Sequence, residues 1–372
     1  MKKIEVSASE LGKKCEKLYK IMSEKNGIPV LENFYFQIKD SLMAITASDG
    51  TNFIKTTIEL RESFTPFLFG INAKSLVQGL KNIPEQPITI SIEEDYSCTI
   101  AYTNGHFTLP IESNITNYPA FPEIKDYHSL TLKTNVLAEI VQKSISFMAD
   151  DELRPILCGL CLSFNVDEQT LQTAATNGFS LAKFETQCTC EETKTIVLCS
   201  KIVRLINIFL SGEEDCKIQY NGNTAVIQSG TTTIYTKLVE GKYPNYNSVI
   251  PNNPYHIAFE KSFLMSAIKR VSAFSNSESY LIAYSLEGMN LTLKAHNIDL
   301  SCGGEENLMV TKEGADTVIG LKGNFTQNIL SSFKQENLKM YYRDGGRAVV
   351  FRAETENENY KQTIIQMPMM VN

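Results

Sequence analysis

Very little in this sequence points to catalysis. It holds no Gly-rich phosphate loop, no Ser nucleophile motif and only four histidines, none paired at metal-ligand spacing. Those absences remove the common phosphoryl-transfer, hydrolase and zinc-enzyme readings, and no cofactor is expected. No apolar run approaches the roughly 20 residues that span a bilayer, so no membrane partner is expected either. The opening Met1-Lys2-Lys3-Ile4-Glu5-Val6 lacks a signal peptide's apolar core. Nine cysteines form an odd, scattered set, which fits free thiols in a reducing compartment. A cytoplasmic location is expected.

Three local features need weighing. Cys158-Gly159-Leu160-Cys161 has redox or metal spacing, but the apolar run Ile156 to Phe164 reads as a strand. In a strand, residues three apart face opposite sides, so the two thiols diverge. Cys188-Thr189-Cys190 has no second ligand pair beside it. Asp150-Asp151-Glu152 has the charge to hold Mg²⁺, yet as a short acidic run it fits a helix end or loop.

What the sequence does contain is a repeat. At 372 residues the chain is too long for one comfortable core, and three copies of one unit recur with a period near 125 residues, as an approximate reading of weak self-similarity. Each copy opens on an apolar helix stripe: about Ala8 to Met22, Asn135 to Met148, and Lys261 to Phe274. Two strands follow, Phe34–Ile38 with Leu42–Thr46, Leu160–Phe164 with Leu171–Ala174, and Leu281–Ser285 with Met289–Lys294. They end at related signatures, Ala47-Ser48-Asp49-Gly50, Ala175-Thr176-Asn177-Gly178 and Ala295-His296-Asn297-Ile298. A second helix comes next, about Ala73 to Lys81, Ser200 to Leu210, and Asn324 to Phe333, and then further strands such as Ile88–Ile92, Cys216–Tyr220 and Leu338–Tyr342. The expected fold is α+β, with two helices on a largely antiparallel sheet in each of three similar domains. The expected domains are 1–126, 127–249 and 250–372.

Charge is distributed unevenly over this frame. The net charge is −7, which taken whole argues against a nucleic-acid partner. The six helix spans nevertheless carry +11 between them and leave −18 on the rest of the chain. Six basic helices in an acidic protein suggest helices that face one polyanion. Two subunits would supply twelve such helices. With axes roughly 8–10 Å apart and helix diameters of about 10 Å, these close a ring with a bore of roughly 28 Å, wide enough for duplex DNA. The candidate DNA-facing residues are Lys13, Lys17, Lys20, Lys74, Lys81, Lys201, Arg204, Lys269 and Arg270. Their contacts would neutralise phosphates and read no bases.

Three phrases, in this order and spacing, carry a resemblance: Ala175-Thr176-Asn177-Gly178-Phe179-Ser180-Leu181-Ala182, Lys237-Leu238-Val239-Glu240-Gly241-Lys242-Tyr243-Pro244-Asn245-Tyr246, and the terminal Met367-Pro368-Met369. Over essentially its full length the chain resembles the β subunit of bacterial DNA polymerase III, the sliding clamps. The resemblance implies the DNA clamp fold, a head-to-tail ring-forming homodimer, topological binding of double-stranded DNA, and no catalysis. It also implies a hydrophobic cleft for short peptides of the polymerase α subunit, the clamp loader and other proteins with a clamp-binding motif. It places Leu157, Thr176, Gly178, Leu181, Pro244, Val249, Ile365, Met367, Pro368 and Met369 at that cleft. It adds Lys25 to the DNA-facing set, and puts Phe107 opposite Ala273 and Phe274 across the subunit joint. The chain departs from the family in the cleft. Phe179-Ser180 stands where His-Arg is common, Ser248 where a basic residue is common, and Met370-Val371-Asn372 where the usual end is basic then Leu. A monomeric peptide-binding scaffold of the same fold is the competing expectation.

Overall fold

The structure, a computed structural model, describes residues 2–22, 27–93, 96–112, 114–151 and 153–371. Lys25, Glu152 and Asn372 lie outside the described residues. Within them are the helices α1 (Ala8–Tyr19), α2 (Ala73–Leu80), α3 (Thr134–Ser144), α4 (Ser200–Phe209), α5 (Lys261–Ser272) and α6 (Gly323–Ser332), set among antiparallel strands. The layout is α+β. No described helix is long and apolar enough to cross a membrane.

Each helix starts where capping chemistry or the apolar period places it. Ser7 caps α1 by accepting the Glu10 N–H at 3.1 Å, and Leu11, Cys15 and Leu18 then fall on one buried stripe. Asn72 caps α2 by accepting the Ser75 N–H at 3.1 Å. The helix ends are shorter than the periodicity suggests. α1 stops at Tyr19 and α5 at Ser272, and the last turn expected of α3 is a 3-10 turn, Ile145–Phe147. Frayed apolar turns satisfy the same period without a full helix, so hydrophobic spacing alone overshoots.

Contacts gather the chain into two compact units: Met1–Glu139 with Lys201–Leu238, and Ile140–Ser200 with Val239–Asn372. In the first, Lys2–Ser7, Pro87–Ile92, Ser97–Tyr102 and Gly105–Pro110 form a sheet in that order, and α1 packs beside α2. A second sheet runs His128–Lys133, Asp215–Tyr220, Thr224–Ser229, Thr232–Lys237, Phe53–Asn72, Asn33–Ser48. Its continuity depends on the pairing of Thr232–Tyr235 with Phe53–Thr56. In the second unit a nine-stranded sheet runs from Lys194–Leu198 to Thr311–Glu313. It is joined at its middle by Ser180–Glu185 against Lys361–Gln366. A four-stranded sheet, Cys302–Met309, Asn290–Asn297, Leu281–Glu287 and Thr317–Lys322, faces α5 and α6. The middle third of the sequence thus lends strands to a sheet in each unit.

Two expectations are corrected. The expected strands Phe34–Ile38 and Leu42–Thr46 run together as Asn33–Ser48. The register shifts on either side of Asp40, whose φ of 53° is left-handed and which pairs with Phe64, while Asn33–Ile38 pairs with Phe67–Asn72 and Leu42–Ser48 with Phe53–Glu59. The expected strand from Ile156 begins only at Leu160, because Pro155–Cys158 is a 3-10 turn. Pro155 fixes the first φ of that turn and lacks the N–H a strand would use. Cys158 therefore lies off the strand, its Sγ 3.2 Å from the Asp151 carbonyl, while Cys161 is buried within it. All nine cysteines are free. Among the described residues, no group of three metal-ligating side chains converges.

Candidate functional site

In the second unit the residues expected of the peptide cleft gather at a strand junction. Leu181 pairs with Thr176 on one side and Ile365 on the other. Leu157, Leu181 and Ile365 belong to one apolar cluster with Cys161, Ala174, Val197, Tyr243, Tyr246 and Val350. These form a floor that is almost closed to water: Leu157, Leu181 and Ile365 are at most 8% exposed. Pro244 follows Tyr243, and Val249 ends the turn Tyr246–Val249, so both lie on the rim and are exposed. Ser248 spends its hydroxyl on that turn, donating to the Asn245 carbonyl at 2.7 Å.

One wall is the Thr176–Ser180 turn. Asn177 Oδ1 accepts the N–H groups of Phe179 and Ser180, both at 2.9 Å. Thr176 Oγ1 accepts the Gly178 N–H at 3.1 Å and donates to the Ser180 carbonyl at 2.8 Å. Gly178 has φ 91°, a conformation that a side chain would strain. The turn is fixed by its own side chains, which leaves Phe179 pointing outward, 62% exposed.

The other wall is the chain's last segment. The Met367 N–H donates to the Phe179 carbonyl and the Met369 N–H to the Gly320 carbonyl, each at 2.8 Å. Met367-Pro368-Met369 is thereby strung between the nine-stranded and the four-stranded sheet. Pro368 has no N–H to leave unpaired between those bonds. Met367 is 44% exposed and Met369 half-buried, so these methionines line a surface. The ten expected cleft residues thus fall on the buried cluster, the exposed turn beside it, the Thr176–Ser180 turn and the last segment.

Four further side chains border the same walls. Phe325 lies 6.2 Å from Phe179 between ring centroids, and the Lys322 ammonium sits 5.1 Å from Phe325 and 5.8 Å from Tyr280. Arg154 brings its guanidinium within 3.7 Å of where a Gly178 side chain would stand. Sequence reading counted Lys322 only as helix charge and passed over Arg154, Tyr280 and Phe325. Their approach depends on tertiary packing, and the sole hint was the unusual Phe179.

The basic helix faces divide into two groups. Lys13, Lys17, Lys20, Lys74, Lys81, Arg204 and Lys269 are exposed. Lys201 is half-buried and Arg270 exposed, and each is held by a carboxylate. Lys201 bonds the Asp49 carboxylate at 2.6 Å. Burial alone would raise the Asp49 pKa, but bonds from Lys201, Asn52 and Thr51 outweigh it and hold the carboxyl below its ordinary value. Arg270 is bonded to Glu306, whose carboxyl it holds below the ordinary value. Other charges in the helix spans are spent internally: Lys133 on Asp215 at 2.8 Å, Lys143 on the Tyr360 hydroxyl at 2.7 Å and Lys261 on the Phe333 carbonyl at 3.0 Å. The surplus of positive charge available to a polyanion is therefore smaller than the sequence count.

Each unit also ends one sheet on an edge strand with a phenylalanine packed near it. In the first, Phe107 of the edge strand Gly105–Pro110 lies against Gly79 of α2, where any Cβ would meet its ring at 2.7 Å. In the second, Phe274 lies over Gly304 of the edge strand Cys302–Met309 in the same manner, also at 2.7 Å. Ala273 and Phe274 are exposed.

Family models match the chain in order along its length. They are the N-terminal domain of the DNA polymerase III beta subunit over residues 2–122, its central domain over 131–245 and its C-terminal domain over 247–369. A beta sliding clamp of Haemophilus influenzae is 24% identical over 343 residues, covering 91% of this chain and 92% of that protein. Among solved structures, the DNA polymerase III beta subunit of Thermotoga maritima superimposes with a TM-score of 0.90 at 22% identity, with both chains covered completely. A Pseudomonas aeruginosa sliding clamp bound to griselimycin gives 0.93 at 20% identity, with 99% of each chain covered. With three domain models in succession, a sliding-clamp relative along nine-tenths of its length and the clamp fold throughout, this chain belongs to the DNA polymerase III beta subunit family, the beta sliding clamps.

Proposed function

We propose that two copies of this chain close head to tail around duplex DNA and hold replication and repair enzymes on it through the Met367–Met369 cleft. As a sliding clamp the protein is a processivity subunit and performs no chemistry of its own. Its domains divide near residues 126 and 249, and its place of action is the cytoplasm. The exposed cations Lys13, Lys17, Lys20, Lys74, Lys81, Arg204 and Lys269 would contact phosphates without reading sequence. The edge strands Gly105–Pro110 and Cys302–Met309 would pair across the subunit joint, with Phe107 meeting Ala273 and Phe274. A monomeric scaffold would leave both edges open, a configuration that invites unwanted strand pairing, and it does not fit the family.

The observation that carries this reading is the arrangement of the expected cleft residues. An apolar cluster, a side-chain-locked turn and a Met-containing strap strung between two sheets lie together where an extended peptide would dock. Methionine repacks around varied partners, which suits one surface serving many enzymes. The expected partners are the polymerase α subunit, the clamp loader and other proteins presenting a short extended segment with Leu or Phe anchors. A Gln- and Leu-rich clamp-binding peptide titrated against the protein and its Met367→Ala, Met369→Ala variant tests this. Truncating two contact side chains should weaken binding by about 2 kcal/mol or more, roughly thirtyfold. A folded, dimeric variant that binds equally well would show that the peptide sits elsewhere.

A further inference from the structure

The family's cleft commonly carries a basic pair after the second-signature glycine, and this chain has Phe179-Ser180 there. The structure places a different cation beside the same wall. Lys322 ends the strand Thr317–Lys322 and caps α6 through its backbone, with no capping bond from its side chain. Its backbone is braced. Gln366, fully buried, donates to the Lys322 carbonyl at 3.0 Å and accepts from Thr326 at 2.9 Å. Gln366 directly precedes Met367, so the lysine and the strap are braced by one side chain. The ammonium is framed by Tyr280 and Phe325, and Phe325 in turn faces Phe179, whose carbonyl holds Met367.

The other cations near the cleft are already engaged. Arg154 bonds Asp151 at 3.0 Å, and Lys183 bonds Asn247 at 2.9 Å with Glu185 at 3.9 Å. Among the described residues, no carboxylate pairs with Lys322. Two rings hold its charge at a fixed place without neutralising it, because cation–π attraction orients an ammonium and leaves its donors available.

Resting on the cleft reading above, we propose that Lys322 is a specificity-determining residue of the cleft. It selects peptides that carry a carboxylate next to the apolar anchor seated against Phe179, Phe325 and Met367. The positive charge missing from positions 179 and 180 is supplied from beside the same wall, so acidic peptide positions matter in this clamp. A solvent-accessible pair of this kind strengthens binding by about threefold to fivefold and weakens with salt.

The test is a set of fluorescence-anisotropy titrations with a Leu-anchored peptide bearing Asp or Asn beside the anchor, each with a free or an amidated C-terminus. Wild-type protein should bind the Asp peptide about threefold to fivefold more tightly than the Asn peptide, less so at high salt. Lys322→Gln should bring the ratio to one, and Lys322→Arg should restore it. A ratio that follows the C-terminal state instead would identify the terminal carboxylate as the recognised group. A ratio of one in the wild type for both pairs, or an unchanged ratio in a folded Lys322→Gln protein, overturns the proposal. Failure of every peptide to bind the wild type would overturn the cleft reading itself, which is a different result from binding without discrimination.

Discussion

Replacing Gly320 with alanine isolates the strap from the rest of the fold. A Cβ at that position would fall on the Met369 carbonyl oxygen and within 2.8 Å of Val371 Cγ2. Leu281 Cδ1, at 3.0 Å, is the end of a flexible side chain and moves more readily. The Met369 segment must therefore lift, and its N–H loses the Gly320 carbonyl. That bond contributes about 0.5–1.5 kcal/mol. Gly→Ala without positive φ regains about 0.4–1 kcal/mol by restricting the unfolded chain. The two nearly cancel, so global stability should stay within about 1 kcal/mol of wild type. Peptide binding should not stay the same. Met367 remains tied to Phe179, but Met369 and its neighbour must be ordered again when a peptide docks. At about 1–2 kcal/mol per residue fixed, partly offset by residual order, that costs about 1–3 kcal/mol, or roughly fivefold to 150-fold in Kd. Denaturation and peptide titration on the same preparation measure both numbers. Unchanged affinity would mean that the strap is not part of the binding surface. A large loss of stability would mean that it is instead a core element.

Introducing a charge at both Phe107 and Phe274 should convert dimers to monomers, because each would bury an unpaired charge at the joint. Sedimentation reports the outcome, and a persisting dimer refutes that joint. Lys201→Ala should destabilise the first unit by about 1–2 kcal/mol near neutral pH, a figure discounted for the partly exposed lysine. Because the folded Asp49 carboxyl lies below its ordinary value, its contribution is present above that value and is lost as pH falls through the folded one. The difference between wild type and variant in urea melts should therefore shrink in acid, and a pH-independent difference would contradict the assignment.

The helices were legible because each carries a 3.6-residue apolar period, joined in α1 and α2 by a capping residue, Ser7 and Asn72. The strand order was not, since pairings such as Thr232 with Thr56 and Ser180 with Gln366 join residues far apart in sequence. The cleft floor was legible only through resemblance. Leu157, Leu181 and Ile365 look like ordinary core residues, and in part they are. The charge pattern misled in detail, because Lys201 finds Asp49 152 residues away and Lys322 turns toward aromatic rings. A sequence count registers a lysine but not its partner. The strand expected to start at Ile156 failed for the opposite reason, as a local proline imposed a 3-10 turn where an apolar run suggested a strand.

Retention on DNA of different topology tests the central claim most directly. Protein placed on a nicked circular duplex by its clamp loader should remain bound through gel filtration at moderate salt. It should then be lost within minutes when one restriction cut opens the circle, since phosphate contacts that read no bases do not hold a ring at a free end. Equal retention on circular and linear DNA would mean that the protein grips DNA by contact, and that the closed ring does not exist.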